Sequence, residues 1–377
     1  MKIGYDFIQP SASLAGCGWY THELLDTMAA LAPEYRFLAY RHFGQCFMDP
    51  GKLAPLPGRT NITDPLAGQS LEATVIAWEN ALAQEQPPGR PDLVHSTSFQ
   101  SPRFKDCKLV VTIFDLSFWA VPEYTTENIR LGCQAGVLNS LQHADGLIFI
   151  SEHARREFDR FLPDYQRRGE IATIVTPLAS RWPAVGQATA TSGDYWLFVG
   201  SIEPRKNLLN LLTAYEGYAL NHPAPRPLWL AGGRGWRNDE ILARIKALEF
   251  RSLVRYLGHV PEDDLQRLYR NAHALVFPSW YEGFGLPVLE AMGQGCPVIC
   301  SDRTSLPEVG GDAVHYIDPA DPATLTAALL RLEQDPAYRN RLVQRGLVQA
   351  AQFSWEQTAK QTLAFYEQIL SAPPANS

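Results

Sequence analysis

The sequence predicts an α/β protein built from two doubly wound parallel-sheet domains in tandem. Three observations predict it. Short apolar runs alternate with helix-period patterns along almost the whole chain. Near the middle, the stretch from Ser180 to Gly193 breaks that rhythm with small residues, Pro and Gly, and reads as a linker. At 377 residues the chain is also too long for one ordinary hydrophobic core.

The first half reads as strand KIGYDFI, helix WYTHELLDTMAALA, strands YRFLAYR, LVHSTS and KLVVTIFDLS, helix NIRLGCQAGVLNSLQHA, strand GLIFIS, helix EHARREFDRFL and strand EIATIVTP. After the linker the rhythm resumes with DYWLFVGS and helix NLLNLLTAYEGYAL, PLWLAGG and NDEILARIKALE, VRYLGHV and PEDDLQRLYRNA. It closes with ALVFPS and PVLEAMGQG, then PVICS, AVHYID and helix PATLTAALLRLEQD. Residues 1–185 are therefore assigned to one domain, 186–352 to a second and 353–377 to a terminal segment. That segment is an amphipathic helix with Trp355, Ala359, Leu363 and Tyr366 at helical spacing, able to pack on either domain. In doubly wound sheets ligands bind at the carboxyl ends of the strands, so two facing domains predict a cleft between them.

Composition narrows the function. A formal charge of -7 gives no overall pull toward nucleic acid. The six cysteines are scattered, with no C-x-x-C pair, which fits a reducing, cytoplasmic setting. The N-terminus reads as a strand and not as a secretory signal, and no apolar run is long enough to cross a bilayer. Arg155, Arg156, Arg160, Arg167 and Arg168 form a local basic cluster, read either as a solvated face or as a peripheral contact with an anionic membrane.

The chemistry concentrates at two strand ends of the second domain. Gly200-Ser201-Ile202-Glu203-Pro204-Arg205-Lys206-Asn207 leaves YWLFVGS and enters the next helix, which sets two cations at a helix N-terminus. The dipole there favours negative charge, so Arg205 and Lys206 ask for an anion: either they are a solvated pair or they hold a phosphate or diphosphate. PSWYEGFGLPVLEAM repeats the design. Gly283 and Gly285 let the backbone approach a ligand, the amides of Gly285 and Leu286 point at an anion, and Pro287 opens the helix. Glu290 is expected in its first turn, with its carboxylate leaning back toward Glu282 so that both acids face one ligand. Carboxylates accept hydrogen bonds from vicinal hydroxyls, so the combination describes a nucleoside diphosphate sugar. In the first domain, Gly16 and Gly18 lie in what reads as a flexible turn. The third glycine of a dinucleotide fingerprint is replaced there by Thr21. No Asp-x-Asp occurs; Asp263-Asp264 opens a helix and reads as capping.

With these residues in view, the chain resembles the retaining glycosyltransferases of family 4 over essentially its whole length. The likeness is carried by the Gly16–Gly18 loop, TIFDLSFWAVPE, SEHARREF, GSIEPRKNLLNLLTAY, YLGHVPEDDLQRLY, the E-x7-E from Glu282 to Glu290, and FSWEQTAKQTLAFY. The resemblance implies the GT-B fold, two facing Rossmann-like domains, with the last helix crossing back to the first. It implies that Arg205 and Lys206 bind the donor diphosphate and stabilise the leaving group, that Glu282 meets sugar hydroxyls and Glu290 the ribose, and that Gly285 and Leu286 offer amides. Gly16 and Gly18 would close on the donor from the other domain. TIFDLSFWAVPE is similar to mannosyl- and rhamnosyltransferases of O-antigen or exopolysaccharide assembly, which implies a hexose, first mannose from GDP-mannose, passed to a glycan or lipid-linked glycan. UDP-sugars are the alternative. One departure stands out: Phe114 replaces the His that many relatives carry near the reacting sugar, which leaves open a catalytically silent binding subunit. Asp115 and His95 are the neighbouring polar groups, for acceptor contact and for facing the cleft respectively; each also has a purely structural reading. No metal and no cofactor beyond the nucleotide-sugar donor are expected, because the two cations and helix dipoles do the electrostatic work.

Overall fold

β-Branched and aromatic runs form parallel strands in both halves, each flanked by helices that cover the sheet faces. The structure is a computed structural model. It describes all residues except 13–15, 169–170, 187–192 and 373–377, and Ala12 and residues 166–168 by backbone only. Much of the expected linker, and Leu14 and Ala15 of the expected glycine loop, thus lie outside the described residues.

The chain divides into two units: Met1–Ala120 with Glu127–Leu178 and Ser354–Ser377, and Ala179–Phe353 with Val121–Thr126. The division falls before Ala179 and not after 185. Arg181 and Val185 explain this, because they bond to Glu290 and Gly293 of the second unit.

Among the described residues the first unit has seven parallel strands: β1 (Lys2–Asp6), β2 (Arg36–Tyr40), β3 (Ile62–Thr63), β4 (Leu93–Ser96), β5 (Lys108–Ile113), β6 (Gly146–Phe149) and β7 (Ala172–Val175). Their order is β3-β2-β1-β4-β5-β6-β7, so the winding reverses between β1 and β4. Trp78 is fully buried against Tyr40 and Phe43, with ring centroids 5.3 and 5.5 Å away. Trp78 belongs to helix Leu71–Ala83, capped by Ser70, which the sequence reading passed over. The terminal helix Trp355–Ser371 belongs to this unit and packs on helix Gly16–Leu31. Its buried face is Thr358, Ala359, Thr362, Phe365, Tyr366 and Ile369. Trp355 and Leu363 are only half-buried, so the stripe is rotated from the one expected.

The second unit has β8 (Tyr195–Val199), β9 (Leu228–Ala231), β10 (Val254–Gly258), β11 (Ala272–Phe277), β12 (Val298–Ser301) and β13 (His315–Ile317). Their order is β10-β9-β8-β11-β12-β13, again parallel throughout. The reversal lies between β8 and β11, the strands that feed the two motifs picked out in the sequence. Helix Pro336–Ala350, capped by the Asp335 side chain, also went unread.

Candidate functional site

The site is built at the carboxyl ends of β8 and β11, the switch point where an open α/β sheet leaves room for a ligand. Gly200 continues β8 at φ +154° and Gly232 continues β9 at φ +146°. A Cβ on Gly232 would stand 2.0 Å from the Gly200 carbonyl oxygen, so the close approach of these two turns requires glycine. Pro204–Lys206 then makes a short 3-10 turn, and Asn207 takes the left-handed conformation that Asn tolerates. Its amide donates to the carbonyls of Pro278 (3.0 Å) and Pro319 (2.8 Å), tying the β8 loop to the β11 loop.

This packing turns both cations inward. The Arg205 side chain is 17 % exposed and that of Lys206 9 %, which rejects the solvated-pair reading. The anions that join them come from the chain itself. Lys206 Nζ donates to Glu282 Oε1 at 2.7 Å, and Arg205 Nη1 donates to Glu282 Oε2 at 3.2 Å and to the Tyr281 carbonyl at 2.8 Å. On its other side Arg205 donates from Nε and Nη2 to Glu203 Oε1. Burial pushes the Glu282 carboxyl up, but Lys206 and Arg205 outweigh it and hold the group below its ordinary value. Glu282 is an anion at neutral pH.

Past Glu282 the chain turns through Gly285, at φ +113°, into helix Leu286–Gly293. Pro287 is in its first turn. The first amides of a helix have no acceptor within it, so Gly285 and Leu286 sit where a phosphate is best received. Glu290 is a correction. It lies beyond the first turn, is 1 % exposed, and its carboxylate is engaged by Arg181 through Nε (2.6 Å) and Nη2 (2.8 Å) and by the Tyr269 hydroxyl (2.9 Å). Burial, reinforced by the Glu290 charge, pushes the Tyr269 hydroxyl far up, so it stays a donor.

In the first unit Gly16 and Gly18 open helix Gly16–Leu31 and are not a flexible turn. Phe114 follows β5, 6 % exposed, with its ring edge-on to Tyr20 at 5.1 Å; it offers no hydrogen bond. Asp115 Oδ1 accepts from the Ser117 amide (2.9 Å) and hydroxyl (2.7 Å), a local backbone cap. His95 is fully buried, with Nε2 2.7 Å from Thr112 Oγ1 and Nδ1 2.6 Å from the Tyr366 hydroxyl. Burial drives its pKa down to about 3, and its role there is structural.

Arg155 pairs with Glu152 and Asp159, and Arg160 with Glu157, so two members of the basic cluster are compensated. The side chains of Arg167 and Arg168 lie outside the described residues. Asp263 and Asp264 are first-turn acids of helix Glu262–Asn271 and not its cap, which is Pro261. Among the described residues no group of three His, Cys, Asp or Glu is placed to hold a metal, and no helix is long and apolar enough to cross a membrane.

Sequence reasoning missed Arg181, Tyr269 and Glu203. Glu203 was legible as the acid two residues before Arg205. Arg181 carried no signal, because it sits in the aperiodic stretch after Ser180.

Residues 187–348 match the family described as glycosyl transferases group 1. The chain is 36 % identical over 388 residues to the O-antigen chain mannosyltransferase B of Escherichia coli, covering 97 % of this chain and 100 % of that protein. It is 31 % identical to the serotype-specific mannosyltransferase WbdA of Escherichia coli, over 62 % of this chain and 30 % of that longer protein. Among solved structures, sucrose-phosphate synthase from Thermosynechococcus elongatus superposes with a TM-score of 0.72 at 20 % identity, covering 99 % of this chain and 100 % of that one. That likeness places both units in the GT-B class of fold.

Proposed function

This chain belongs to the group 1 glycosyltransferases and is a glycosyltransferase, and from that premise we propose that it moves mannose from GDP-mannose to a growing, lipid-linked bacterial surface polysaccharide, with retention at the anomeric carbon. One observation carries the reading of the site: Arg205, Lys206 and Glu282 form a buried ion cluster at the switch point of the second unit. The near full-length likeness to an O-antigen mannosyltransferase supports mannose and the surface glycan.

In this reading Arg205 and Lys206 receive the donor diphosphate, helped by the Gly285 and Leu286 amides and by the close backbone at Gly200. Glu282 accepts from a sugar hydroxyl, and Glu290 takes a ribose hydroxyl in exchange for one of its bonds from Arg181. The bond from the anomeric carbon to the phosphate oxygen breaks as the acceptor oxygen bonds to the same face of that carbon. The acceptor proton passes to the departing phosphate. Charge grows on that phosphate in the transition state, where each fixed donor lowers the barrier by about 3 kcal/mol. Metal is not required, and the protein works in the cytoplasm, meeting its lipid-linked acceptor at the inner face of the membrane.

Thermal-shift measurements with GDP, UDP and their mannose and glucose esters test the donor, because a ligand that binds only the folded state raises its melting temperature. Stabilisation by GDP and GDP-mannose above UDP is expected. A shift with UDP-sugars alone overturns the donor, and a shift without any transfer or donor hydrolysis favours the silent binding subunit that Phe114 raises.

A further inference from the structure

We propose that Glu203 is a positioning residue for the transfer reaction, the acid that keeps the Arg205 guanidinium aimed at the donor diphosphate. This rests on reading Arg205 as a diphosphate ligand. Glu203 is 1 % exposed and so acts only through its neighbours. Its Oε1 accepts from Arg205 Nη2 at 2.9 Å and from Nε at 3.2 Å, while the Nη1 edge of the same guanidinium faces Tyr281 and Glu282. The planar guanidinium is thus held from two opposite edges, and a planar fork held at both edges cannot rotate.

Glu203 is fixed in turn. Ser201 Oγ donates to its Oε2 at 2.8 Å. The loop after β9 closes on it: Ile202 N donates to the Gly233 carbonyl, Gly235 N donates to the Ile202 carbonyl, and a Cβ on Gly235 would lie 2.9 Å from Glu203 Oε2. The loops after β8 and β9 therefore converge on one buried carboxylate.

Charge explains why the site needs it. Arg205 and Lys206 face Glu203 and Glu282, two cations against two anions. When Glu282 accepts from a sugar hydroxyl, its hold on Arg205 weakens. Glu203 is the counter-charge that stays, and without it Arg205 would turn onto Glu282 and compete with Lys206 and the sugar for that carboxylate.

The test is Glu203→Gln in the full chain, with kinetics and GDP affinity measured on folded protein. The expected result is a kcat lower by about 10- to 100-fold, the range for outer partners that orient a reacting group, with GDP affinity changed less than about threefold. Ser201→Ala is expected to lower kcat by roughly threefold, with a melting temperature lowered only by the loss of one hydrogen bond, and to add nothing to the fall in kcat in the Glu203→Gln background. A kcat for Glu203→Gln within about threefold of wild type, or a fall in GDP affinity as large as the fall in kcat, overturns the proposal. If Glu203→Gln does not fold, Ser201→Ala decides alone: an unchanged kcat overturns it. A wild type that uses a UDP-sugar overturns only the donor assignment, since the same variants are then run with that donor. A wild type that turns over no nucleotide sugar overturns both.

Discussion

Lys206 Nζ donates to Glu282 Oε1 at 2.7 Å, joining two loops that leave neighbouring strands, with both side chains 9 % exposed. A buried pair that is both an ion pair and a bridge between motifs separates catalysis from binding in a measurable way. Lys206→Ala should lower kcat by about 100- to 1,000-fold if the ammonium meets charge that develops on the leaving phosphate. Donor KM should move little. Steady-state kinetics check this, and a change confined to KM would assign Lys206 to ground-state binding.

Transfer should be insensitive to chelation. Activity in excess EDTA is expected to match that in buffer, and added Mg²⁺ or Mn²⁺ should not raise it, because in the proposed reading Arg205, Lys206 and the helix amides supply the charge that a metal would otherwise bring. Loss in EDTA with recovery on adding either ion would contradict it.

Two buried groups at the switch point of the first unit titrate in opposite senses. Burial pushes Asp6 up to about 6, against hydrogen bonds from Ser98 and Ile8, and drives His95 down to about 3. Between about pH 4 and 6 the unfolded chain holds a proton on His95 that the folded one lacks, so this group's contribution is lost as pH falls. Over the same window the folded chain holds a proton on Asp6 that the unfolded one lacks, so that contribution is lost as pH rises. The two slopes cancel. Asp6→Asn leaves the histidine uncompensated, and its unfolding free energy should fall on acidification more steeply than wild type by about 1.4 kcal/mol per pH unit. Urea unfolding at pH 4, 5 and 6 reads this directly; parallel slopes would refute it.

Gly232 and Gly285 both hold positive φ, yet their replacements should differ. A Cβ at Gly285 meets the end of the Leu306 side chain at 2.7 Å, which can shift, whereas at Gly232 it meets the Gly200 backbone at 2.0 Å, which cannot. Gly285→Ala should cost about 1–3 kcal/mol of stability. Gly232→Ala should cost more and disturb Gly200. Chemical denaturation that ranks them the other way would count against this geometry.

Both parallel sheets and the loops that carry chemistry were legible because strand runs and glycine turns are local in sequence. Arg205, Lys206, Glu282 and Gly285 stand at the strand ends their motifs implied. What was not legible depends on distant pairing. Glu290 reads as a first-turn acid until Arg181, from an aperiodic stretch, reaches its carboxylate. Gly16 and Gly18 read as a flexible turn, yet they begin a helix whose residues Leu24, Leu25 and Met28 are buried in the core. Helix Pro336–Ala350 was passed over although Asp335 caps it, because Arg339 lies on its buried side and blurs the apolar stripe.

The most direct measurement is release of GDP and incorporation of mannose when purified protein is given GDP-mannose and a lipid-linked O-antigen-type acceptor in EDTA, with Lys206→Ala as the control. Stoichiometric GDP and mannosylated product from the wild type, falling about 100-fold or more in the variant, is the expected result. Transfer from UDP-sugars alone, or undiminished transfer by Lys206→Ala, would contradict it.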